Sequence, residues 1–134
     1  MTEGNSINNS RLIPSMVITS ILAIATTLSF IHTKTILTVT NILVMLGHFV
    51  AIIYAAFSKE LIRQDKTIIL IISILPLLFY LFMINHWPGI LILRLIMFIP
   101  IGTFIYVSFR VMNRLKYEFP FLGLMAIYIL LMIL

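Results

Sequence analysis

Few groups in this 134-residue chain can do chemistry: three histidines, four carboxylates, nine lysines and arginines, one tryptophan and no cysteine. The missing cysteine excludes disulfides, thiolate nucleophiles and cysteine metal sites. No glycine-rich phosphate loop, metal-type His spacing or nucleophile signature occurs, and no polar segment is long enough to be a catalytic domain. Neither an enzyme activity nor a cofactor or metal is therefore expected. What remain are polar groups set singly in apolar sequence: Asn41, His48, Arg94 and the run Asn85-His86-Trp87-Pro88-Gly89.

Arg94 is costly, because a charge within a membrane span must find water or a partner. It follows Gly89 by five residues, ~7.5 Å along a helix, a distance its side chain can snorkel. Hydrogen bonds to Asn41, Asn85 or His86 are the other intramolecular outlet. No Asp or Glu is expected in a span, so an ion-pair partner would come from another subunit. His48, 14 residues from Lys34 and 10 from Ser58, lies near the bilayer middle. A neutral ring bonded to a hydroxyl of a neighbouring helix is expected; a proton-handling or gating histidine is the alternative. Proton-driven machines carry buried carboxylates, and none is expected here.

The elements that position these groups follow from composition. The chain is 62% hydrophobic and 10% charged, with a mean hydropathy of +1.19. The apolar residues fall in runs near the ~20 residues a span needs. The fold class is all-α, a polytopic transmembrane helical bundle of two similarly oriented hairpins plus a fifth helix. A polar amino-terminal tail over residues 1–13 precedes spans over about 14–31, 36–57, 67–84, 90–109 and a short 119–134. Pro14 suits a first helical turn. Pro76 and Pro100 predict kinks, with Ser73 placed to satisfy a carbonyl freed by Pro76. An Ala-Ile-Ala ending at Ala25 resembles a leader cleavage site, but the apolar run continues past it, so the segment is expected to be retained.

Basic residues set the orientation. Arg11, then Lys59, Arg63 and Lys66, then Arg110, Arg114 and Lys116 fall in three short segments on one side. The expectation is an amino terminus in the cytoplasm and a carboxyl terminus outside, with the basic loops against anionic lipid headgroups. These charges serve lipid, so no nucleic-acid partner is expected. The stripe Leu37, Asn41, Val44, His48, Ala51 and Ala55, with Gly47 beside it, is small and polar enough for helix association. Span one offers Ser15, Thr19, Ala23, Thr26 and Thr27 to match. A 54-residue offset lays His32 on His86, Ile36 on Ile90, Leu37 on Leu91 and Ile42 on Ile96, echoing the paired hairpins.

Pro88-Gly89 is turn chemistry, and Trp87 belongs at headgroup depth. Through His86, Trp87, Pro88 and Gly89, the segment "FMINHWPGILIL" resembles small multispanning membrane proteins of the Bacteroidota in which an HWPG turn joins two spans. That hairpin in turn resembles the amino-terminal membrane region of the gliding-motility and type 9 secretion motor protein GldL, over about residues 79–109. The resemblance implies an inner-membrane location and a two-helix packing unit. It does not carry over motor function, since the acidic membrane residue and cytoplasmic region of that family have no counterpart here. The expected role is an accessory or structural subunit of an inner-membrane assembly, associating as a homo-oligomer or with another membrane protein. An oligomeric channel or pore-forming effector is the alternative, and a small-solute transporter a further one.

Overall fold

The computed structural model describes residues 2–31 and 33–133, with side chains from Ser10 onward; His32 and its alignment with His86 lie outside the described residues. Among those, all regular structure is helical. Helix α1 spans Thr2–Leu28, α2 Lys34–Phe57 and α3 Arg63–Ile84. The fourth segment is divided into α4 (Ile90–Ile96), α5 (Phe98–Tyr106) and a π-turn over Val107–Val111. Helix α6 spans Phe119–Ile133. Four stretches are long and apolar enough to cross a membrane: Ser10–Leu28, Lys34–Phe57, Arg63–Ile84 and Ile90–Val111. α6 is apolar but shorter.

Two expectations need correction. The polar tail is not separate from the first span: α1 starts at Thr2, so Pro14 lies inside a helix rather than in its first turn. The basic segment after α2 is shorter than expected, because Arg63 to Lys66 already form the first turn of α3. The prolines behave differently from one another. Pro100 has no N–H for the Ile96 carbonyl, and its ring crowds that carbonyl; the helix divides at Met97. Pro76 is buried within an α3 that stays one helix. Ser73 does not turn back to a freed carbonyl, because its hydroxyl reaches across to Met125 Sδ of α6 at 3.7 Å.

The bundle is built from neighbours in sequence, α1 on α2 and α2 on α3, and closed by α6, which packs against α1, α3 and α5. The short last helix is therefore central rather than peripheral. α1 and α2 approach closely at Gly47, where an added Cβ would sit 2.6 Å from Leu22 Cδ2. Small residues allow such close approach in the absence of a hydrophobic force between helices in lipid. The buried positions of α1 are Ser15, Ile18, Leu22 and Ala25, one step around the helix from the face read in the sequence. Thr19, Thr26 and Thr27 bond their own i−4 carbonyls instead, as hydroxyls on apolar helices do. The main core runs through Ile18, Ala51, Tyr54, Ile69, Val107, Leu115 and Phe121. A smaller cluster of Phe79, Met97 and Ile129 serves the other half.

Candidate functional site

Topology gathers the start of α1, the end of α2, the start of α3 and the start of α6 at one end of the bundle. Arg11, Glu60, Asp65, Arg114 and Glu118 lie there. Glu118 immediately precedes α6, where its carbonyl accepts from the Leu122 N–H at 3.1 Å and where the helix dipole favours a negative charge. Its side chain is 0% exposed. Arg11 Nε donates to one carboxylate oxygen at 3.0 Å and Nη2 to the other at 2.9 Å. The Tyr54 hydroxyl donates a third bond at 2.7 Å. Arg11 Nη2 also donates to the Arg114 carbonyl at 2.8 Å, and its guanidinium lies 5.5 Å from the Tyr117 ring centroid. A forked guanidinium–carboxylate pair is directional as well as strong, so Arg11, Tyr54 and Glu118 fix α1, α2 and α6 to one another.

A second pair extends this network. Arg114 Nη2 donates to Asp65 Oδ1 at 2.9 Å, joining the segment before α6 to the first turn of α3. Arg114 is 45% exposed against 5% for Asp65, so solvent screening leaves it worth little beside the Glu118 cluster. These contacts correct the expectation that no carboxylate is buried. The four acidic residues lie outside the apolar runs, but Glu118 and Asp65 fold under the basic ends of the helices. Arg114 is exposed like the other basic residues but is paired with Asp65. Lys59, Arg63, Arg110 and Lys116 are exposed and Lys66 is half-buried; the Lys116 ammonium lies 5.0 Å from the Tyr117 ring centroid.

In mid-bundle, His48 is 2% exposed. Its Nδ1 lies 2.8 Å from the Val44 carbonyl. A carbonyl only accepts, so Nδ1 carries a proton and donates it to Val44. The ring bonds its own backbone, not the neighbouring-helix hydroxyl expected from the sequence. Nε2 meets no donor among the described residues, and the Tyr128 ring lies 6.5 Å away at 57°. Asn41, two turns toward the start of α2, is half-buried. Of the α2 stripe read in the sequence, Val44, Gly47, His48, Ala51 and Ala55 are buried inside the chain, while Leu37 stays exposed and Asn41 half-buried.

The opposite end is organised by backbone geometry. α3 stops at Ile84 and Asn85 caps it, its Nδ2 donating to the Leu81 carbonyl at 2.9 Å. His86 takes φ +52°. The His86 N–H reaches the Met83 carbonyl at 3.3 Å and the Trp87 N–H reaches Phe82 at 3.0 Å. These two bonds with a left-handed residue between them form a Schellman cap. Its usual apolar contact is present too, Trp87 meeting Phe82 edge-on with centroids 5.0 Å apart. Gly89 then takes φ +96° and leads into α4. The motif is thus a helix stop followed by a helix start.

Arg94 follows on α4. It is exposed and makes neither a hydrogen bond nor an ion pair among the described residues. Asn85 is engaged with its own helix, and the expected bonds from Arg94 to Asn41, Asn85 or His86 are not made. α4 buries none of its residues; Leu91, Ile92 and Leu95 are 65–71% exposed around Arg94.

No family model, curated protein or solved structure matches the chain. Its function must be argued from the geometry alone.

The sequence reading missed Glu118, Tyr54 and Asp65. A signal was present: counting basic residues to orient spans ignores acids, yet Glu60, Asp65 and Glu118 all stand beside the basic segments. A carboxylate directly before an apolar helix with proline in its first turn is a helix-start pattern. The pairing of Glu118 with Arg11, 107 residues away, was not written in any local pattern.

Proposed function

We propose that this chain is a non-enzymatic integral membrane protein of an inner membrane, an accessory or structural subunit that docks a partner through α4. The basic end faces the cytoplasm on this reading, with Arg63, Lys66, Arg110 and Lys116 against anionic headgroups. The observation that carries the proposal is Arg94, a cation with no hydrogen bond or ion pair among the described residues, on a helix that fully buries none of its residues and meets the core through half-buried Ile90 and Leu93. An arginine on a lipid-facing surface near the bilayer edge must snorkel to water or find a partner. A carboxylate on a neighbouring helix is such a partner, and Leu91, Ile92 and Leu95 supply apolar contact around it.

The partner is another protein rather than a like-oriented second copy. Glu60, Asp65 and Glu118 stand at the end of the bundle opposite Arg94, so a parallel copy brings no described carboxylate to its depth. The test is the mass of the detergent-solubilised particle by native mass spectrometry, for wild type and Arg94→Ala. A complex of this chain with a second protein, lost in Arg94→Ala, is expected. A homo-oligomer that survives Arg94→Ala and passes ions in liposomes would overturn the reading in favour of a channel.

A further inference from the structure

At the basic end, outside the Glu118 cluster, a groove of about 480 Å³ opens between the start of α1 and the end of α2. One part of its lining is apolar, Pro14, Val50, Ile53 and Phe57, and the other polar, Ser10, Ser58, Lys59 and Glu60. From Val50 to Phe57 the apolar part runs ~10 Å along the helix axis, and Phe57 is 80% exposed. The two charges in the polar part are of opposite sign. Lys59 is exposed and forms no ion pair among the described residues. Glu60 accepts from the Ser10 hydroxyl through Oε1, while its Oε2 is buried and receives no hydrogen bond from the described residues.

We infer that this groove is a binding site for a phospholipid with a primary-amine headgroup. The acyl chain lies along Val50, Ile53 and Phe57, the phosphate meets Lys59, and the ammonium donates to the Glu60 carboxylate. A half-satisfied carboxylate at the bilayer edge calls for a cationic donor. A glycerol headgroup would satisfy Lys59 through the same phosphate but bring only neutral hydroxyls, and no cation, to Glu60. A choline headgroup has the right charges and no N–H to give. Tyr54 also lines the groove while its hydroxyl holds Glu118, so a bound lipid braces the wall of the Arg11–Glu118 cluster. The inference rests on the membrane-spanning part of the proposed function and is independent of the partner at Arg94.

The test is competitive lipid retention by the full chain, read by native mass spectrometry from vesicles of equal parts phosphatidylethanolamine, its N,N-dimethyl derivative, phosphatidylcholine and phosphatidylglycerol. Retention falling from the primary amine through the dimethyl lipid to choline is expected, by about tenfold overall, the worth of one hydrogen bond to a charged group. Glu60→Gln keeps the acceptor for Ser10 but not the charge, and should flatten the series. Equal retention of the amine and choline lipids, preference for the glycerol lipid, or an unchanged series in Glu60→Gln would each overturn the site. A chain that retains no lipid at all would overturn the membrane-spanning reading with it.

Discussion

The two ends of the bundle solve the same problem in opposite ways. Each must end apolar helices without leaving backbone groups or charges stranded. At the basic end this is done by side chains far apart in sequence: Arg11, Tyr54 and Glu118 join three helices, and Asp65 with Arg114 adds a fourth. At the NHWPG end it is done locally, by a Schellman cap and a left-handed glycine within five residues. The main core lies under the first end and only the small Phe79–Met97–Ile129 cluster under the second. One end is closed by its own chain. The other presents α4, with Arg94 unanswered.

That contrast can be broken by substitution, most strongly at the basic end. Glu118→Ala strips Arg11 and Tyr54 of their shared acceptor, and removing one member of a buried ion pair costs about 3–5 kcal/mol. Reversible unfolding in mixed micelles is expected to show that loss, with much of it recovered in the double variant Arg11→Met, Glu118→Leu. Losses in the double that merely add would show that the cluster is not a unit. At the other end, Gly89→Ala forces a side chain into the left-handed region, costing about 1 kcal/mol, although nothing lies within 4 Å of the new Cβ. The same unfolding assay checks it.

His86→Gly should act in the opposite direction. Glycine takes the left-handed position of the cap without strain, and a gain of about 0.5–1 kcal/mol is expected. A loss would show that the imidazole makes a contact the cap does not need. Arg94→Ala is expected to have the smallest effect on the isolated chain, within about 0.5 kcal/mol, because the residue is exposed and makes no hydrogen bond or ion pair among the described residues. A larger loss would place Arg94 among the structural residues and remove the argument for a partner.

How much of this was legible in the sequence follows the same division. Whatever depends on period and local chemistry could be read: the apolar spans, the turn at Pro88-Gly89, the break near Pro100 and the lack of an acidic residue near Arg94 in its own span. What depends on how helices rotate against one another could not. The hydroxyls of α1 sit at plausible contact spacing, yet several of them close onto their own backbone and Ile18, Leu22 and Ala25 do the packing. Glu118 was passed over because it lies outside an apolar run, although topology brings Arg11, Tyr54 and Glu118 to one level. Burial at a helix start is a tertiary property, and a one-residue rotation of α1 or α6 would have undone it.

The most direct test of the contrast between a closed end and an open one is site-specific photocrosslinking in native membranes. Probes would be placed at Ile92 and Leu95 on α4, and for comparison at Ile13 and Met16 on the exposed face of α1. Crosslinks to one defined protein from the α4 positions alone, abolished by Arg94→Ala, are the predicted result. Equal crosslinking from both helices, or lipid adducts alone from α4, would contradict the account.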